Sequence, residues 1–154
     1  MIEELSMRFR HIAIAAITVV LTACGAATST QTRTKGVEGT PVEIVSANAL
    51  ARWNAIIDRD LNAAYEYLTP GTRATTPFDA YRQRFLGVMI RWTKARIEKV
   101  ECNDPDVCTA RLYITYKVRP AQSGTGEIEG YSPVEEQWIR TGGQWYYLPD
   151  KTGR

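Results

Sequence analysis

The hydrophobic positions change their spacing near residue 87, from a helical period to a strict alternation. In residues 41–58, apolar side chains recur every three or four positions, and Arg52 is assigned to the polar side of that helix. The helix begins at Thr40-Pro41-Val42-Glu43, a capping box with proline in the first turn. Similar stripes in residues 60–68 and after Thr76-Pro77 predict a second and a third helix, joined by a loop.

The second half of the chain has the alternation of strands that bury one face and expose the other. Four runs show it: residues 88–97, 108–119, 127–140 and 145–148. A slip at Thr93-Lys94 predicts a bulge, and residues 141–144 predict a tight hairpin turn. The pattern therefore predicts an α+β fold, in which three N-terminal helices pack on one face of a four-stranded antiparallel sheet.

An uncharged, mostly apolar segment occupies residues 12–23 and follows Arg8, Arg10 and His11. A helix of that length rises only about 18 Å, whereas a helix that crosses the hydrocarbon core must span about 30 Å. A basic stretch before a short apolar segment is typical of a secretory signal. The acidic residues before Met7 do not fit such a signal, so translation is expected to start at Met7.

The apolar segment ends at Leu21-Thr22-Ala23-Cys24, which resembles the lipobox of bacterial lipoproteins. The resemblance implies that residues 1–23 are a signal peptide, and that Cys24 is acylated and becomes the first residue. Each buried CH₂ contributes about 0.8 kcal/mol, so several acyl chains anchor a protein stably. The protein is then held by its lipid in the bacterial cell envelope. Because Gly25 follows the cysteine, the resemblance implies the outer membrane, facing the periplasm, if the host has two membranes.

The rest of the chain divides into a tether and one domain. Residues 24–39 combine the lipidated cysteine with small and polar residues that show no periodicity, as in a flexible tether. Residues 40–151 are long enough for one domain with one core. The formal net charge of +2 is small and scattered, which argues against nucleic acid as a partner.

Two cysteines remain once Cys24 is assigned to lipid, and they lie on either side of a turn-forming stretch. In an exported protein, Cys102 and Cys108 are expected to form a disulfide bond. A structural zinc site needs about four nitrogen or sulfur ligands, and no histidine follows His11. The turn residues 103–107 offer too few oxygens for calcium. Neither a metal nor a cofactor is therefore expected.

The order of helices and strands over residues 41–149 resembles the nuclear transport factor 2-like superfamily. The resemblance also rests on Trp53, on Ala64-Tyr65-Glu66-Tyr67-Leu68-Thr69-Pro70, and on the closing segments Gln137-Trp138-Ile139-Arg140 and Gly143-Gln144-Trp145-Tyr146. It implies a curved sheet that wraps a long N-terminal helix into a cone. Enzymes of that superfamily are similar in holding an aspartate or histidine base and tyrosine donors inside the cone.

Glu136 is the carboxylate that the pattern places as a candidate base, since the mature chain has no histidine. It shares strand parity with Val134 and Trp138, and an acid in an apolar pocket has a raised pKa. The expected donors are three tyrosines: Tyr65, Tyr67 and Tyr116. A register break at Pro133 turns Glu136 towards solvent instead, and the sequence alone favours that alternative.

Two sets of residues are candidates for binding. The first is mainly aromatic and would line a pocket: Trp53, Tyr65, Tyr81, Trp92, Tyr116, Glu136 and Trp138. Aromatic residues at such spacing are more often simply part of the core. The second set lies on the polar face of one strand and would dock a partner: Tyr113, Thr115, Lys117 and Arg119. These four are explained equally well as ordinary exposed strand residues.

The favoured function is a membrane-anchored, non-catalytic binding or assembly module, whose partner beyond the membrane is an envelope protein or a small apolar ligand. The alternative is a small-molecule-binding or isomerase-like pocket protein that uses a carboxylate base. A purely structural lipoprotein stays open as a third interpretation. No catalytic triad, phosphate loop or nucleotide fingerprint occurs, so the sequence leans away from an enzyme.

Overall fold

The computed structural model describes residues 39–86, 89–119 and 126–150. The predicted signal peptide, Cys24, the tether and the end of the third predicted helix at Gly87 lie outside those residues. Four helices precede four strands: α1 (Pro41–Ile57), α2 (Leu61–Glu66), α3 (Pro70–Thr75), α4 (Phe78–Gln83), β1 (Ile90–Asp104), β2 (Val107–Val118), β3 (Ile128–Thr141) and β4 (Gln144–Leu148). The α+β class with four antiparallel strands is confirmed. No helix in the described ranges is long and apolar enough to cross a membrane.

The capping box at the start of α1 forms as predicted. The Thr40 hydroxyl accepts a hydrogen bond from the Glu43 backbone N–H at 3.3 Å, and the Glu43 carboxylate accepts one from the Thr40 backbone N–H at 2.8 Å. Pro41 occupies the first turn, where its missing N–H costs no helical hydrogen bond. The helix buries Val45 and Ile56 completely against the sheet. Because α1 begins at this cap, the position of the cap determines which later residues of the helix lie on the side that packs on the sheet.

The number of helices was predicted wrongly, because α3 lies where a loop was expected. Thr69 caps α3 by accepting a hydrogen bond from the backbone N–H of Thr72 at 3.0 Å. Pro70 follows in the first helical turn, where it is favourable. The sequence Thr69-Pro70-Gly71-Thr72 is typical of a loop, yet Gly71 lies inside α3. The cap therefore outweighs the helix-breaking tendency of glycine.

The sheet has the order β1-β2-β3-β4, and all neighbouring strands are antiparallel. β3 pairs with β2 without a shift through Pro133, so Leu112 faces Val134 and Ala110 faces Glu136. The register break favoured from the sequence is therefore absent. The bulge predicted at Thr93 is present between Trp92 and Lys94. We call the face of the sheet that packs on α1 the inner face, and the opposite one the outer face.

The predicted disulfide bond is confirmed. Cys102 on β1 and Cys108 on β2 are paired residues, and their sulfur atoms are bonded. Cys108 is buried and pairs on its other side with Trp138 of β3. The bond therefore joins two strands next to the buried part of the inner face.

Candidate ligand-binding site

A buried ion pair joins α1 to the inner face of the sheet. Arg52 Nη2 lies 2.6 Å from Glu136 Oε1, and the exposed fractions of the two side chains are 6% and 0%. The assignment of Arg52 to the polar side of α1 was therefore wrong. Arg52 is three residues after Ala49 and four before Ile56, which places all three on the same side of the helix.

Two indole groups complete the hydrogen bonding of Glu136. Trp53 Nε1 donates to Oε1 at 2.6 Å, and Trp138 Nε1 donates to Oε2 at 3.1 Å. Arg52 and Trp53 come from adjacent positions of α1, while Glu136 and Trp138 are two positions apart on one face of β3. Both carboxylate oxygens of Glu136 thus accept hydrogen bonds, and the donors are one guanidinium and two indoles. The donors predicted from the sequence were tyrosine hydroxyls.

The charge of Arg52 is maintained by this arrangement. Burial lowers the pKa of Arg52, but the Glu136 carboxylate acts in the opposite direction and the resulting pKa is raised. The guanidinium carbon also lies 4.0 Å from the centre of the Tyr147 ring. A buried cation that is paired and stacked in this way is a fixed part of the structure.

A cavity of about 250 Å³ lies beside the ion pair, and we call it the inner cavity. Its walls come from α1, α4, β1, β3 and β4, and are mostly apolar or aromatic. The residues used below are Arg52, Trp53, Tyr81, Arg84, Phe85, Trp92, Val134 and Tyr147. Trp92 makes edge contacts with Trp53 and Phe85, with ring centres 6.4 Å and 5.9 Å apart. The aromatic part of the wall is therefore continuous.

Two buried polar atoms beside this cavity have no hydrogen-bond partner among the described residues. They are Arg52 Nε and the hydroxyl oxygen of Tyr81. Burial raises the pKa of Tyr81, although the charge of Arg52 opposes that effect. The hydroxyl is therefore protonated at neutral pH and able to donate. Both atoms have less than 1 Å² of accessible surface, so they are buried behind the cavity wall rather than exposed to the cavity.

The structure brings together only part of the predicted pocket set. Trp53, Tyr81 and Trp92 line the inner cavity, and Glu136 and Trp138 are buried beside it. Tyr65 packs on Tyr81 with ring centres 5.3 Å apart and donates to the Thr76 carbonyl at 2.8 Å.

Tyr116 does not line the inner cavity. It lies on β2 opposite Gly130 of β3, where a Cβ on the glycine would come within 2.9 Å of the tyrosine ring. The bare glycine therefore makes room for Tyr116, which has a packing role there.

The residues of the cavity wall that sequence reasoning missed include Arg52, Arg84 and Tyr147. The spacing of Arg52 from Ala49 and Ile56 was a usable signal. Tyr147 pairs with Trp138 across β3 and β4, so strand parity also placed it on the inner face. Arg84 follows the last residue of α4, and no sequence pattern distinguished it from other surface arginines.

The predicted docking set lies on the outer face, where it divides into two parts. Tyr113 and Thr115 line a shallow depression of about 360 Å³ together with Lys94, Arg96 and Tyr131. Tyr131 is 71% exposed, and its ring centre lies 5.8 Å from that of Tyr113.

The remaining two members of the docking set already have carboxylate partners. Lys117 Nζ lies 3.8 Å from Glu129, and Arg119 lies 4.0 Å from Glu127. Within the described ranges, no group of three or more histidine, cysteine or acidic residues is placed to hold a metal ion.

Comparisons with known proteins concern the fold. No protein-family model and no curated protein matches the chain. A SEC-C motif containing protein from Rhodopseudomonas palustris is similar in structure, with a TM-score of 0.52, 17% identity, and coverage of 66% of this chain and 73% of that one. At that identity the similarity shows the fold alone.

Two further solved structures are more distant. A ketosteroid isomerase-like protein from Erwinia carotovora atroseptica has a TM-score of 0.49 and 18% identity, covering 70% of this chain and 92% of that one. A putative polyketide cyclase from Xanthomonas campestris pv. campestris has a TM-score of 0.45 and 14% identity, covering 71% and 93%. Both TM-scores are below 0.5, so no property of either protein is carried over to this chain.

Proposed function

We propose that this chain is a lipid-anchored protein of the bacterial envelope, whose nuclear transport factor 2-like domain binds a small, largely apolar ligand without transforming it. The observation that carries the proposal is the inner cavity, with its aromatic wall and the Arg84 side chain at its edge. Ligand sites of folded proteins are concave and mainly apolar, with a few polar groups that orient the ligand. The inner cavity has that composition and is large enough for a molecule with one ring.

The bonding of Glu136 supports binding without catalysis. A general base must reach the proton that it removes, either directly or through one water molecule. Both oxygens of Glu136 already accept hydrogen bonds, and its side chain has no exposed surface. Freeing the carboxylate would also leave Arg52 as an unpaired buried charge, which is costly. Glu136 therefore fits the role of an internal anchor better than that of a base.

Binding in the inner cavity is testable with a variant that fills it. In native mass spectrometry of the full-length protein purified from bacterial membranes, we expect a bound mass on the wild type. Val134→Phe places a larger side chain in the cavity wall and should remove that mass. Val107→Phe is the matched control, because Val107 is half-buried on the outer side of β2. A bound mass that survives Val134→Phe, or no bound mass on any of the three proteins, would contradict the proposal.

The anchoring part of the proposal rests on the lipobox ending at Cys24. Cells fed an alkyne-tagged fatty acid should label the wild-type protein, and Cys24→Ser should lose both the label and the membrane association. The variants of the cavity wall should keep the label. Equal labelling of the wild type and Cys24→Ser would refute lipidation at this residue.

Docking of a partner protein is a second candidate, favoured by the depression on the outer face. Lys94 has no ion-pair partner among the described residues, and the Arg96 guanidinium carbon lies 5.0 Å from the centre of the Tyr113 ring. A photo-crosslinking residue at Tyr131 should then give one discrete product in intact cells, whereas the same residue at the exposed Val42 of α1 should not. Identical products from both positions would argue against a partner on this face.

A further inference from the structure

The depression on the outer face is lined by two cations that lack a counter-charge. No ion pair joins Lys94 or Arg96 to a carboxylate of the described residues, and both residues are exposed. The Arg96 guanidinium carbon lies 5.0 Å from the centre of the Tyr113 ring. Like charges at one site repel each other. An anionic group beside Lys94 and Arg96 would offset that repulsion.

The carboxylates on the same face already have partners. Four of them form ion pairs with other cations of that face: Glu101, Glu127, Glu129 and Glu135. Glu98 accepts a hydrogen bond from the Tyr113 hydroxyl at 3.2 Å. Among the described residues, the chain therefore supplies no free acid for Lys94 and Arg96, and their counter-charge has to come from another molecule.

The depression and its surroundings have the composition of a protein–protein contact area. Tyrosine and arginine are enriched at the centre of such areas, and charged side chains form the rim. Here Tyr113, Tyr131 and Arg96 line the depression, and Tyr131 is 71% exposed. Along β2 and β3, the ion pairs of Glu129 and Glu135 lie on either side of it. The aromatic centre thus has a charged rim.

The shape of the depression favours a protruding protein segment over a lipid surface or a free anion. The site is concave and lies within a sheet face, whereas a membrane surface is flat. A small inorganic anion would meet Lys94 and Arg96 but leave the rings of Tyr113 and Tyr131 uncovered. A peptide segment that carries both acidic and apolar side chains would use all four groups.

We infer that the outer face docks a partner protein through an acidic segment, in which carboxylates lie next to an apolar or aromatic side chain. The carboxylates would pair with Lys94 and Arg96, and the apolar side chain would cover the rings of Tyr113 and Tyr131. The inference rests on the second candidate of the proposed function, docking at this face, and assigns a chemistry to the partner. It does not depend on the inner cavity.

Selection from a library of random peptides tests this inference without a known partner. The full-length protein in detergent is immobilised, and the affinities of the enriched peptides are measured by fluorescence anisotropy. We expect those peptides to combine acidic residues with an apolar or aromatic one. Replacing their carboxylates by amides should abolish binding. Salt at about 1 M should weaken binding strongly, because it screens charges beyond about 3 Å.

Two matched double variants locate the acidic residues of the peptides. Lys94→Gln/Arg96→Gln removes two charges from the depression and should weaken peptide binding by about tenfold or more. Lys117→Gln/Arg119→Gln is the control, because it removes two charges that already have carboxylate partners. At about 0.15 M salt, which screens charges beyond about 8 Å, the control should weaken binding by less than about threefold. Circular dichroism confirms that both variants are folded.

The other outcomes overturn the inference. Enriched peptides that are neutral or basic, or no enriched peptide, contradict an acidic partner. Equal losses in the two double variants place the acidic residues outside the depression. If dioctanoyl phosphatidylglycerol, a soluble anionic lipid, binds at Lys94 and Arg96 and no peptide does, the depression recognises lipid. If the wild type is a dimer that Lys94→Gln/Arg96→Gln dissociates, a second copy of the chain occupies the face.

The crosslink at Tyr131 in intact cells separates this inference from docking itself. If the discrete product forms equally with and without Lys94→Gln/Arg96→Gln, a partner docks at the outer face, but its acidic character is overturned. If no discrete product forms in either protein, docking and this inference fall together. Ligand binding in the inner cavity is tested separately by Val134→Phe and is unaffected by either result.

Discussion

Two neighbouring residues of β3 form ion pairs on opposite faces of the sheet. Glu136 on the inner face meets Arg52 at 2.6 Å, with exposed side-chain fractions of 0% and 6%. Glu135 on the outer face meets Arg111 at 3.0 Å, with exposed fractions of 62% and 49%. The chemistry of the two pairs is the same, and burial is what differs. The inner pair is therefore a fixed structural element, while the outer one is an exchangeable surface contact.

Removing the inner carboxylate should have the largest effect. Glu136→Leu leaves Arg52 buried without its counter-charge and two indole N–H groups without an acceptor. We expect the free energy of unfolding to fall by about 3–5 kcal/mol, measured by chemical denaturation. The double variant Arg52→Met/Glu136→Leu removes both charges, so it should recover much of that loss. If the double variant is as unstable as Glu136→Leu, the unpaired charge of Arg52 is not the cause of the lost stability.

The disulfide bond should contribute less than the inner ion pair. Replacing both cysteines, Cys102→Ser with Cys108→Ser, releases the β1–β2 turn and should cost about 2 kcal/mol, since the closed loop is short. Unfolding of the wild type with and without a reductant gives the same comparison independently. A loss as large as that of Glu136→Leu would mean that the bond also organises the inner face, through the pairing of Cys108 with Trp138.

The cap of α1 should contribute less again, although it positions the helix that carries Arg52. Thr40→Ala should lower the free energy of unfolding by about 1 kcal/mol at neutral pH. Hydrogen bonds from the Thr40 backbone and side chain hold the pKa of Glu43 below its ordinary value of 4.5. This stabilisation is present above that value and is lost as the pH falls through the lower, folded-state pKa.

Two measurements check this prediction. The difference between wild type and Thr40→Ala should shrink in acid, and NMR should show the Glu43 carboxyl titrating nearer its ordinary pKa in the variant. An unchanged Glu43 titration in Thr40→Ala would contradict the account of the cap.

The outer ion pair should matter least. Glu135→Leu should change the free energy of unfolding by less than about 1 kcal/mol, because exposed pairs contribute little. The difference should fall further in about 1 M salt, which screens charges beyond about 3 Å. The loss in Glu136→Leu should persist under the same conditions. Equal salt dependence for Glu135→Leu and Glu136→Leu would contradict the conclusion that the inner and outer ion pairs differ in their contribution to stability.

Local patterns explain what was predictable from the sequence. The capping box at Thr40, the alternation in residues 108–118 and the placement of Cys102 and Cys108 around one turn each depend on neighbours in sequence. These features led to the correct class of fold, the correct number of strands and the correct disulfide bond. The extra helix at Pro70–Thr75 was missed because one cap outweighed a glycine.

The candidate site was less predictable because its contacts are distant in sequence. Arg52 and Glu136 are 84 residues apart, so no local pattern predicts that they pair. An arginine on a helix is normally exposed, and the direction of Glu136 depends on a register that Pro133 left open. Only the pairing of β2 with β3 determines that the side chain of Glu136 lies on the inner face. The burial of Tyr81 likewise depends on how α4 packs on α2.

The central claim is that an accessible apolar cavity lies beside the Arg52–Glu136 pair. A crystal of the full-length protein, pressurised with xenon, tests it most directly, because xenon enters apolar cavities without needing a specific ligand. The account predicts a xenon atom against the wall formed by Trp53, Phe85 and Trp92, and its absence in crystals of Val134→Phe. An inner cavity without xenon in a crystal that holds the gas elsewhere would contradict the account.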